Sequence, residues 1–296
     1  VDNINIPAAT ARGIVVCNAP EGNTIAAVEH TIGMMLAVTR HIPQAHQSIQ
    51  EGKWDRKSFT GIQLQGRTLG VIGVGRVGSR VAKRMQAFEM NVIGYDPFIS
   101  VESAWSLSRA IKRSSSVDEI YRTADYITVH VPLTDATRGM LGESAIAQMK
   151  DGVHLLNFSR AELADAESLA AALESGKVAS YVTDFPTQDV LRMKNAVAIP
   201  HLGASTPESE VNCADMAARE LRDYLEDGQI RNSVNFPEIL LGHSEGVRVL
   251  IIHENEPGMV SAISAATVLV IALICSEAQV AVVMAALVGA CVGFLP

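Results

Sequence analysis

A chain of 296 residues, 48% hydrophobic and 19% charged, is long enough for two domains and is typical of a globular protein, which argues against disorder. Acidic residues outnumber basic ones by 32 to 24, giving a formal net charge of −8, and no basic stripe could follow a phosphate backbone. The charge therefore argues against a nucleic acid partner.

The first predicted elements are a short strand and a helix. The chain opens VDNINIPAAT, without a methionine or a signal-type apolar core, which predicts an internal start and no targeting segment. The apolar stretch Gly13–Pro20 predicts the strand, and Pro43 is expected to end or restart the helix that follows. That helix is predicted because one face at helical spacing is apolar, namely Ile25, Val28, Ile32, Met35 and Leu36.

From Thr68 onward, apolar strand-like runs alternate with helical ones as far as residue 200. This alternation predicts an α/β fold with a doubly wound parallel sheet, whose strands are apolar throughout because helices cover both faces. Thr206–Gly228 then reads as a long helix with a threonine cap, an acidic first turn and a terminal glycine. A linker follows and leads into a separate C-terminal segment.

A glycine pattern follows the first strand of the alternating region. Gly73, Gly75 and Gly78 have the G-x-G-x-x-G spacing between a strand and a helix, which predicts a tight turn, a close approach of a pyrophosphate and close helix packing. Asp96, at the end of the next strand, can accept hydrogen bonds from the two ribose hydroxyls and would repel a 2′-phosphate. Because no Arg or Lys occurs in residues 97–100, NAD is favoured over NADP.

Polar clusters follow three further strands of the predicted sheet, beginning at His130, Asn157 and Ala198. The carboxyl ends of parallel strands share one edge, so these loops should line one crevice. Arg160 offers a planar fork for a carboxylate, and His201 offers a proton acceptor near neutral pH. The pair is what oxidation of a 2-hydroxy acid by NAD requires, since a proton must leave with the hydride.

Each of these side chains also has a structural interpretation. A single Arg at a strand end is usually a surface residue, and a single His is usually a partly buried residue with a hydrogen-bond partner. His130 is interpreted as part of the cofactor pocket rim and His154 as a residue within an apolar strand. The remaining histidines of the N-terminal region are interpreted as helix-surface residues, namely His30, His41 and His46.

Several motifs together carry a resemblance to a known family. The segments NAPEGNTIAAVEHT, GVIGVGRVGSRVA, VIGYDP, HVPLT, LLNFSR and PHLGAST, in this order, resemble the D-specific 2-hydroxyacid dehydrogenases over residues 1–237. The resemblance is greatest to members that oxidise 3-phosphoglycerate to 3-phosphohydroxypyruvate with NAD, at the entry to serine biosynthesis. It implies an enzyme that acts on a small 2-hydroxy acid and forms a homo-oligomer, a dimer or a tetramer.

The resemblance also implies roles for individual residues. Arg160 would bind the substrate carboxylate, His201 would be the general acid/base, and Asn23 would lie near the substrate. Contacts with NAD are expected from the glycine loop and the strand ends, namely Gly73, Gly75, Arg76, Val77, Gly78, Asp96, Phe158, Ser159, Arg160, Asp184, His201, Gly203 and Ala204.

Two departures from the family pattern affect the expected activity. The family pairs its catalytic His with a Glu, and Gln188 stands at the matching place, with Asp189 one position on as a substitute if the loop shifts. Ala161 replaces a Gly that usually follows the Arg. The first half of the family's substrate domain has no counterpart, which predicts an N-terminally truncated chain whose activity is reduced.

The C-terminal segment is expected to be a partial regulatory module. Residues 246–266 resemble the first strand, loop and helix of an ACT domain, in which His253 and Asn255 would contact an effector such as serine. Beyond Ala266 the likeness stops, and the last 19 residues carry no charge. A rearranged or out-of-frame end is favoured over a membrane anchor, because no Lys or Arg flanks the run.

The sequence therefore predicts four segments: a substrate-domain remnant at 1–20, an NAD-binding domain at 21–205, a return helix and linker at 206–245, and the partial ACT-like module at 246–296. The four cysteines lack metal-ligand spacing, which predicts no metal site and favours a reduced, cytoplasmic compartment. Two alternatives stay open. The substrate could be another D-2-hydroxy acid, or the chain could be a non-catalytic, NAD-sensing interaction protein.

Overall fold

The computed structural model describes residues 3–99, 107–242, 252 and 259–274. The chain divides into two compact units, one from Ala19 to Ala218 and one that combines the residues up to Asn18 with those from Arg219 onward. The boundary after Ala218 falls within the long helix that the sequence predicts. The proposed effector contacts, His253 and Asn255, lie outside the described residues.

Within the described part of the first unit, seven strands form one sheet in which all neighbouring strands are parallel. Their order across the sheet is β3-β2-β1-β4-β5-β6-β7, so the doubly wound sheet predicted from the alternating pattern is confirmed. The strands are β1 (Thr68–Ile72), β2 (Asn91–Tyr95), β3 (Lys112–Arg113), β4 (Tyr126–Val129), β5 (Val153–Asn157), β6 (Val178–Thr183) and β7 (Ala196–Ala198).

Helices connect the strands and cover the sheet. Pro43 lies in the first turn of α3, which explains the predicted break after α2. In chain order the described helices are α1 (Ile6–Thr10), α2 (Thr24–Thr39), α3 (Ile42–Gln50), α4 (Arg76–Ala87), α5 (Val117–Thr123), α6 (Glu143–Gln148), α7 (Ala166–Ser175), α8 (Pro207–Asp227) and α9 (Met259–Ile274).

The apolar side chains of the strands divide between two cores, one on each face of the sheet. In β1, Val71 belongs to the core beneath α2 and α4, whereas Ile72 belongs to the core beneath α5, α6 and α7. In β5, Leu155 and Leu156 divide in the same way. Both faces are thus buried, and this is why the strands read as continuous apolar runs.

One local prediction was wrong, and one strand was missed. Gly13–Pro20 is not a strand but contains a single bridge between Cys17 and Ser233. The Asn235 side chain takes the place of a neighbouring strand, because it accepts a hydrogen bond from Val16 N and donates one to Ile14 O. Conversely, β3 carries only charged, exposed residues, so its sequence gives no apolar signal for an edge strand.

The long helix α8 has the predicted ends. The Thr206 hydroxyl accepts a hydrogen bond from Ser209 N at 3.1 Å, and Gly228 follows the helix with φ of +66°. Further on, α9 spans Met259–Ile274. Among the helices that the structure describes, none combines the length and apolar character needed to cross a bilayer.

Candidate active site

A cavity of about 370 Å³ lies at the carboxyl ends of the strands in the first unit. β1 pairs with β2 on one side and with β4 on the other, and the chain crosses from the first side to the second after β3. The strand order therefore reverses beside β1, and ligands of open α/β sheets bind at such a switch point. The cavity brings together most of the predicted site residues, namely Asn23, Gly75, Arg76, Val77, Gly78, Phe158, Ser159, Arg160, Asp184, His201, Gly203 and Ala204.

Each glycine of the loop after β1 has a distinct geometry. Gly73 has φ of +89°, and a Cβ there would overlap the carbonyl oxygen of His130. A Cβ on Gly78 would overlap the carbonyl oxygen of Gly73, so helix and turn are in direct backbone contact. Gly75 instead lines the cavity, and a Cβ there would meet nothing within 4 Å. The middle glycine therefore keeps space open on the ligand side.

The amino end of α4 faces this loop without a side-chain cap. Gly75 is the N-cap residue and provides no side-chain cap for the first turn of the helix. The free N–H groups of a helix N-terminus favour a negatively charged ligand group. The open space at Gly75 and the uncapped helix together fit the pyrophosphate of a dinucleotide.

Asp96 lies just beyond β2 and supports the glycine loop. Its Oδ2 accepts a hydrogen bond from Val74 N at 2.9 Å, and its Oδ1 accepts one from Phe98 N at 2.9 Å. It also lines a second cavity, of about 260 Å³, together with Arg109 and Arg113. Sequence reasoning missed these two exposed cations, because only the pairing of β3 with β2 brings them beside Asp96.

Arg160 follows β5 and is held by its own loop. The buried Asn157 side chain donates hydrogen bonds to Arg160 O at 2.8 Å and to the Tyr181 hydroxyl at 3.0 Å. The guanidinium donates to Ser159 O at 2.7 Å, and its carbon lies 5.4 Å from the centre of the Phe185 ring. The loop backbone and an aromatic face thus position the fork in the cavity wall.

His201 lies on the same aromatic ring. The imidazole and the Phe185 ring have centroids 4.4 Å apart, and the Nε2 atom of His201 lies 3.9 Å from Asp184 Oδ2. The imidazole is 58% exposed, whereas the Asp184 side chain is 2% exposed. Phe185, which sequence reasoning did not single out, therefore joins the cation and the imidazole in one site.

Asp184 supplies the carboxylate nearest to His201. Burial raises the pKa of Asp184 above its ordinary value, and the neighbouring His201 and His30 imidazoles act in the opposite direction. Its Oδ1 atom is buried without a hydrogen-bond partner among the described residues. A carboxylate in this position can stabilise positive charge on His201.

Gln188 and Asp189, expected to partner His201, are exposed and do not line the cavity. They lie in the turn before a short 3₁₀ helix, Val190–Arg192, where the Thr187 hydroxyl accepts a hydrogen bond from Val190 N. This turn leaves both side chains in solvent. The structure thus places Asp184, and not either of these residues, beside the catalytic candidate.

His30 was interpreted as a helix-surface residue, and that interpretation was wrong. It lines the cavity from α2, and its ring packs edge-on against Phe158 with centroids 5.4 Å apart. Burial lowers the pKa of His30, and its Nε2 atom is buried without a partner among the described residues. Helical spacing separates core from surface, but it does not identify a helix face that borders a ligand cavity.

The two other histidines near the sheet have structural environments. His130 lines the cavity, but its Nε2 is hydrogen-bonded to the Thr128 hydroxyl at 3.0 Å, and burial lowers its pKa to about 4. His154 stacks on Tyr126, and burial likewise lowers its pKa to about 4. Within the described ranges, no group of three or more His, Cys, Asp or Glu side chains could hold a metal ion.

The parallel strand order and the glycine loop at the switch point define a dinucleotide-binding domain of the Rossmann class. Residues 32–203 match the NAD-binding domain of the D-isomer specific 2-hydroxyacid dehydrogenases, and the chain belongs to that family. The predictions of fold, family and NAD as the cofactor are therefore confirmed.

Curated relatives and solved structures extend the comparison. The D-3-phosphoglycerate dehydrogenase of Archaeoglobus fulgidus is 46% identical over 246 residues, covering 81% of this chain and 46% of that protein. The Homo sapiens D-3-phosphoglycerate dehydrogenase is 41% identical over 241 residues, covering 79% of this chain and 45% of that protein. This chain thus spans about half the length of these relatives. A D-lactate dehydrogenase from Aquifex aeolicus, complexed with NAD and lactic acid, has a TM-score of 0.69 at 26% identity, covering 80% of this chain and 78% of that one.

Proposed function

We propose that this chain carries the dehydrogenase site of an enzyme that oxidises 3-phosphoglycerate to 3-phosphohydroxypyruvate with NAD. The observation that carries the proposal is the meeting of Arg160 and His201 on the Phe185 ring, in the cavity that also contains the glycine loop. The names of the relatives support the choice of substrate, since those described above at 41–46% identity are D-3-phosphoglycerate dehydrogenases.

In the proposed mechanism, each side chain has one task. Arg160 binds the substrate carboxylate through its guanidinium, which matches a carboxylate with two parallel hydrogen bonds. His201 accepts the proton of the substrate hydroxyl, and the buried Asp184 carboxylate at 3.9 Å stabilises the resulting imidazolium. NAD, when bound, supplies the hydride acceptor. The loop from Gly73 to Gly78 and Asp96 would hold its pyrophosphate and ribose, for which the open space at Gly75 is suited.

A panel of 2-hydroxy acids tests the substrate class. We expect NAD reduction to be fastest with 3-phosphoglycerate and slower with D-glycerate, D-lactate and D-2-hydroxyglutarate, measured as NADH absorbance. A faster reaction with another acid would favour a different dehydrogenase of the same family. Binding of NADH without turnover of any of them would favour the non-catalytic, NAD-sensing alternative.

Arg160→Lys should raise KM for the hydroxy acid while leaving NADH affinity unchanged. Lysine keeps the charge but lacks the planar fork, so the variant loses a charge-assisted hydrogen bond to the carboxylate. Such a bond contributes about 1.5–3 kcal/mol, which corresponds to roughly a 10- to 100-fold rise in KM. Steady-state kinetics with varied acid concentration measure this change. Arg122→Lys, on the exposed surface of α5, is the matched control and should change neither constant. An unchanged KM in the Arg160 variant would contradict the carboxylate role.

Asp96→Ala should reduce the preference for NADH over NADPH. Part of the lost affinity is common to both cofactors, because Asp96 also accepts a hydrogen bond from Val74 N in the glycine loop. The rest applies to NADH alone, since only NADH offers both ribose hydroxyls to the carboxylate. Fluorescence titration with both cofactors measures the ratio, with Asp151→Ala, an exposed carboxylate, as control. A variant that keeps the full preference would show that Asp96 does not select the cofactor.

The regulatory and oligomeric aspects are proposals that rest on sequence resemblance. His253 and Asn255 would contact an amino acid effector such as serine, and the chain would form a dimer or a tetramer. The cytoplasmic location stays a prediction from the scattered cysteines, of which Cys17 and Cys213 are free thiols in the described part of the chain.

A further inference from the structure

The long helix α8 has an unusual distribution of polar and apolar side chains. Its less exposed face is mostly polar and consists of Ser209, Cys213, Met216, Glu220 and Asp223. This face has polar partners, because Glu220 accepts a hydrogen bond from the Asn232 side chain at 2.6 Å. Asp223 Oδ2 likewise lies 3.8 Å from Arg231 Nε. A helix on the surface of a globular protein normally turns its apolar side inward, so the reversed arrangement requires an explanation.

The opposite face of α8 carries an exposed apolar stripe, which consists of Val211, Ala214, Ala218, Leu221 and Leu225. Val211 is 67% exposed, Leu221 59% and Leu225 72%. The steps between successive members are three, four, three and four residues, the spacing of a coiled-coil seam. The stripe is about 21 Å long. Single exposed apolar residues are ordinary, but a continuous stripe at this spacing indicates a surface that another helix covers.

The stripe is complementary to a second copy of itself. In an antiparallel pair with a two-fold axis at the level of Met216, Val211 of one copy meets Leu221 of the other. In the same register Ala214 meets Ala218, and the axis repeats each of these contacts once. The alanines at the centre let the two helices approach closely, while the larger side chains fill the space on either side. Size complementarity therefore favours an antiparallel pair.

The charges beside the stripe favour the same arrangement. Glu208 and Arg222 lie two heptads apart on one edge of the stripe, so the antiparallel register brings Glu208 of one copy beside Arg222 of the other. The Arg222 side chain is 58% exposed and uses two of its five N–H donors in bonds to Asp223. A parallel pair would instead bring Glu210 beside Asp215, which repel each other.

One like-charge contact remains in the antiparallel pair. Asp215 lies near the two-fold axis and faces Asp215 of the second copy. Arg219 stands four residues further along the same helix, a spacing at which opposite charges attract and which reduces this repulsion. The two contacts between Glu208 and Arg222 therefore outweigh the single unfavourable one.

We propose that α8 is an interface through which two copies of this chain associate as an antiparallel helix pair. None of its residues lines the candidate active-site cavity, so the inference is independent of the proposed dehydrogenase function. Interfaces of stable complexes bury about 800 Å² per partner, more than one helix stripe offers, and we therefore expect a reversible association with a Kd of about 1–100 μM.

Sedimentation equilibrium of the full chain from about 1 to 200 μM tests the proposal, with an expected doubling of the particle mass as the concentration rises. Leu221→Glu should raise the Kd at least about 100-fold, because the pair would bury a carboxylate opposite Val211. Leu191→Glu is the matched control and should leave the Kd unchanged, since Leu191 is 58% exposed and lies outside α8. A mass that does not depend on concentration, or equal effects of the two leucine variants, would overturn the proposal.

A charge exchange tests the antiparallel register. Arg222→Glu and Glu208→Arg each bring like charges together at both ends of the pair, so each variant alone should associate about 10-fold more weakly. In an equimolar mixture of the two variants every introduced charge meets an opposite one, and the Kd should return to within about threefold of the wild-type value. A mixture that associates no more tightly than the separate variants would refute the proposed pairing and leave the stripe to a different polypeptide.

Discussion

His201→Ala is expected to lower kcat for the hydroxy acid by about 10²- to 10⁴-fold, the usual contribution of a general acid/base. The affinity for NADH should change little, because the His201 side chain is more than half exposed and the buried Asp184 beside it stays in place. Removing the imidazole leaves the hydroxyl proton without an acceptor in the step that releases the hydride. Steady-state kinetics give kcat, and fluorescence titration of NADH gives the affinity of the same preparation.

The pattern across variants distinguishes catalysis from binding. His201→Ala should act on kcat, whereas Arg160→Lys should act on KM, because one residue moves a proton and the other holds the carboxylate. His46→Ala serves as the control, since this histidine is exposed on α3 and outside the cavity. Equal and small effects from both site variants would contradict the dehydrogenase proposal and favour the NAD-sensing interaction protein.

The parts of the site that could be predicted are those with local spacing or a fixed topological position. Gly73, Gly75 and Gly78 follow from the strand-loop-helix pattern, and the structure places each in the geometry that its position in the pattern requires. Arg160 and His201 were singled out because both follow strands of a parallel sheet, whose carboxyl ends share one edge. For these residues, knowledge of the fold class is enough to bring them together.

The parts that could not be predicted depend on orientation within a loop or on distant pairing. Sequence position pointed to Gln188 as the partner of His201, but the turn after Phe185 leaves that side chain in solvent and brings Asp184 closest instead. His30 was misassigned because a cavity-facing helix position is neither apolar like the core nor free like the surface. Asn235 binds the backbone of Ile14 and Val16 from more than 200 residues away, and no local pattern reports such a contact.

Alanine at Gly75 and at Gly78 should separate ligand binding from folding. Gly75→Ala should leave Tm unchanged, since the new methyl group meets nothing within 4 Å and the backbone there has an ordinary φ of −74°. The methyl group would instead occupy the space through which the pyrophosphate approaches the helix N-terminus. Because hydrogen bonds to a charged group contribute about 1.5–3 kcal/mol each, the Kd of NADH should rise roughly 10- to 100-fold.

Gly78→Ala, in contrast, should lower the thermal stability of the ligand-free protein. Its methyl group would overlap the carbonyl oxygen of Gly73, a backbone atom that no change of rotamer can move away. The cost of overpacking, about 1–3 kcal/mol, exceeds the gain in helix propensity of at most ~1 kcal/mol, so Tm should fall by a few degrees. NADH binding should weaken too, because the shift displaces the loop.

Two measurements on both variants decide between the two roles. One is thermal unfolding of the ligand-free protein, and the other is titration with NADH. A marked fall in Tm for Gly75→Ala would mean that this glycine is required by the fold and not by the ligand. A Gly78→Ala protein with unchanged Tm would mean that α4 can move away from the turn at little cost. In that case the close contact between Gly73 and Gly78 would not fix the helix N-terminus, and the anion site would depend on the ligand itself to order it.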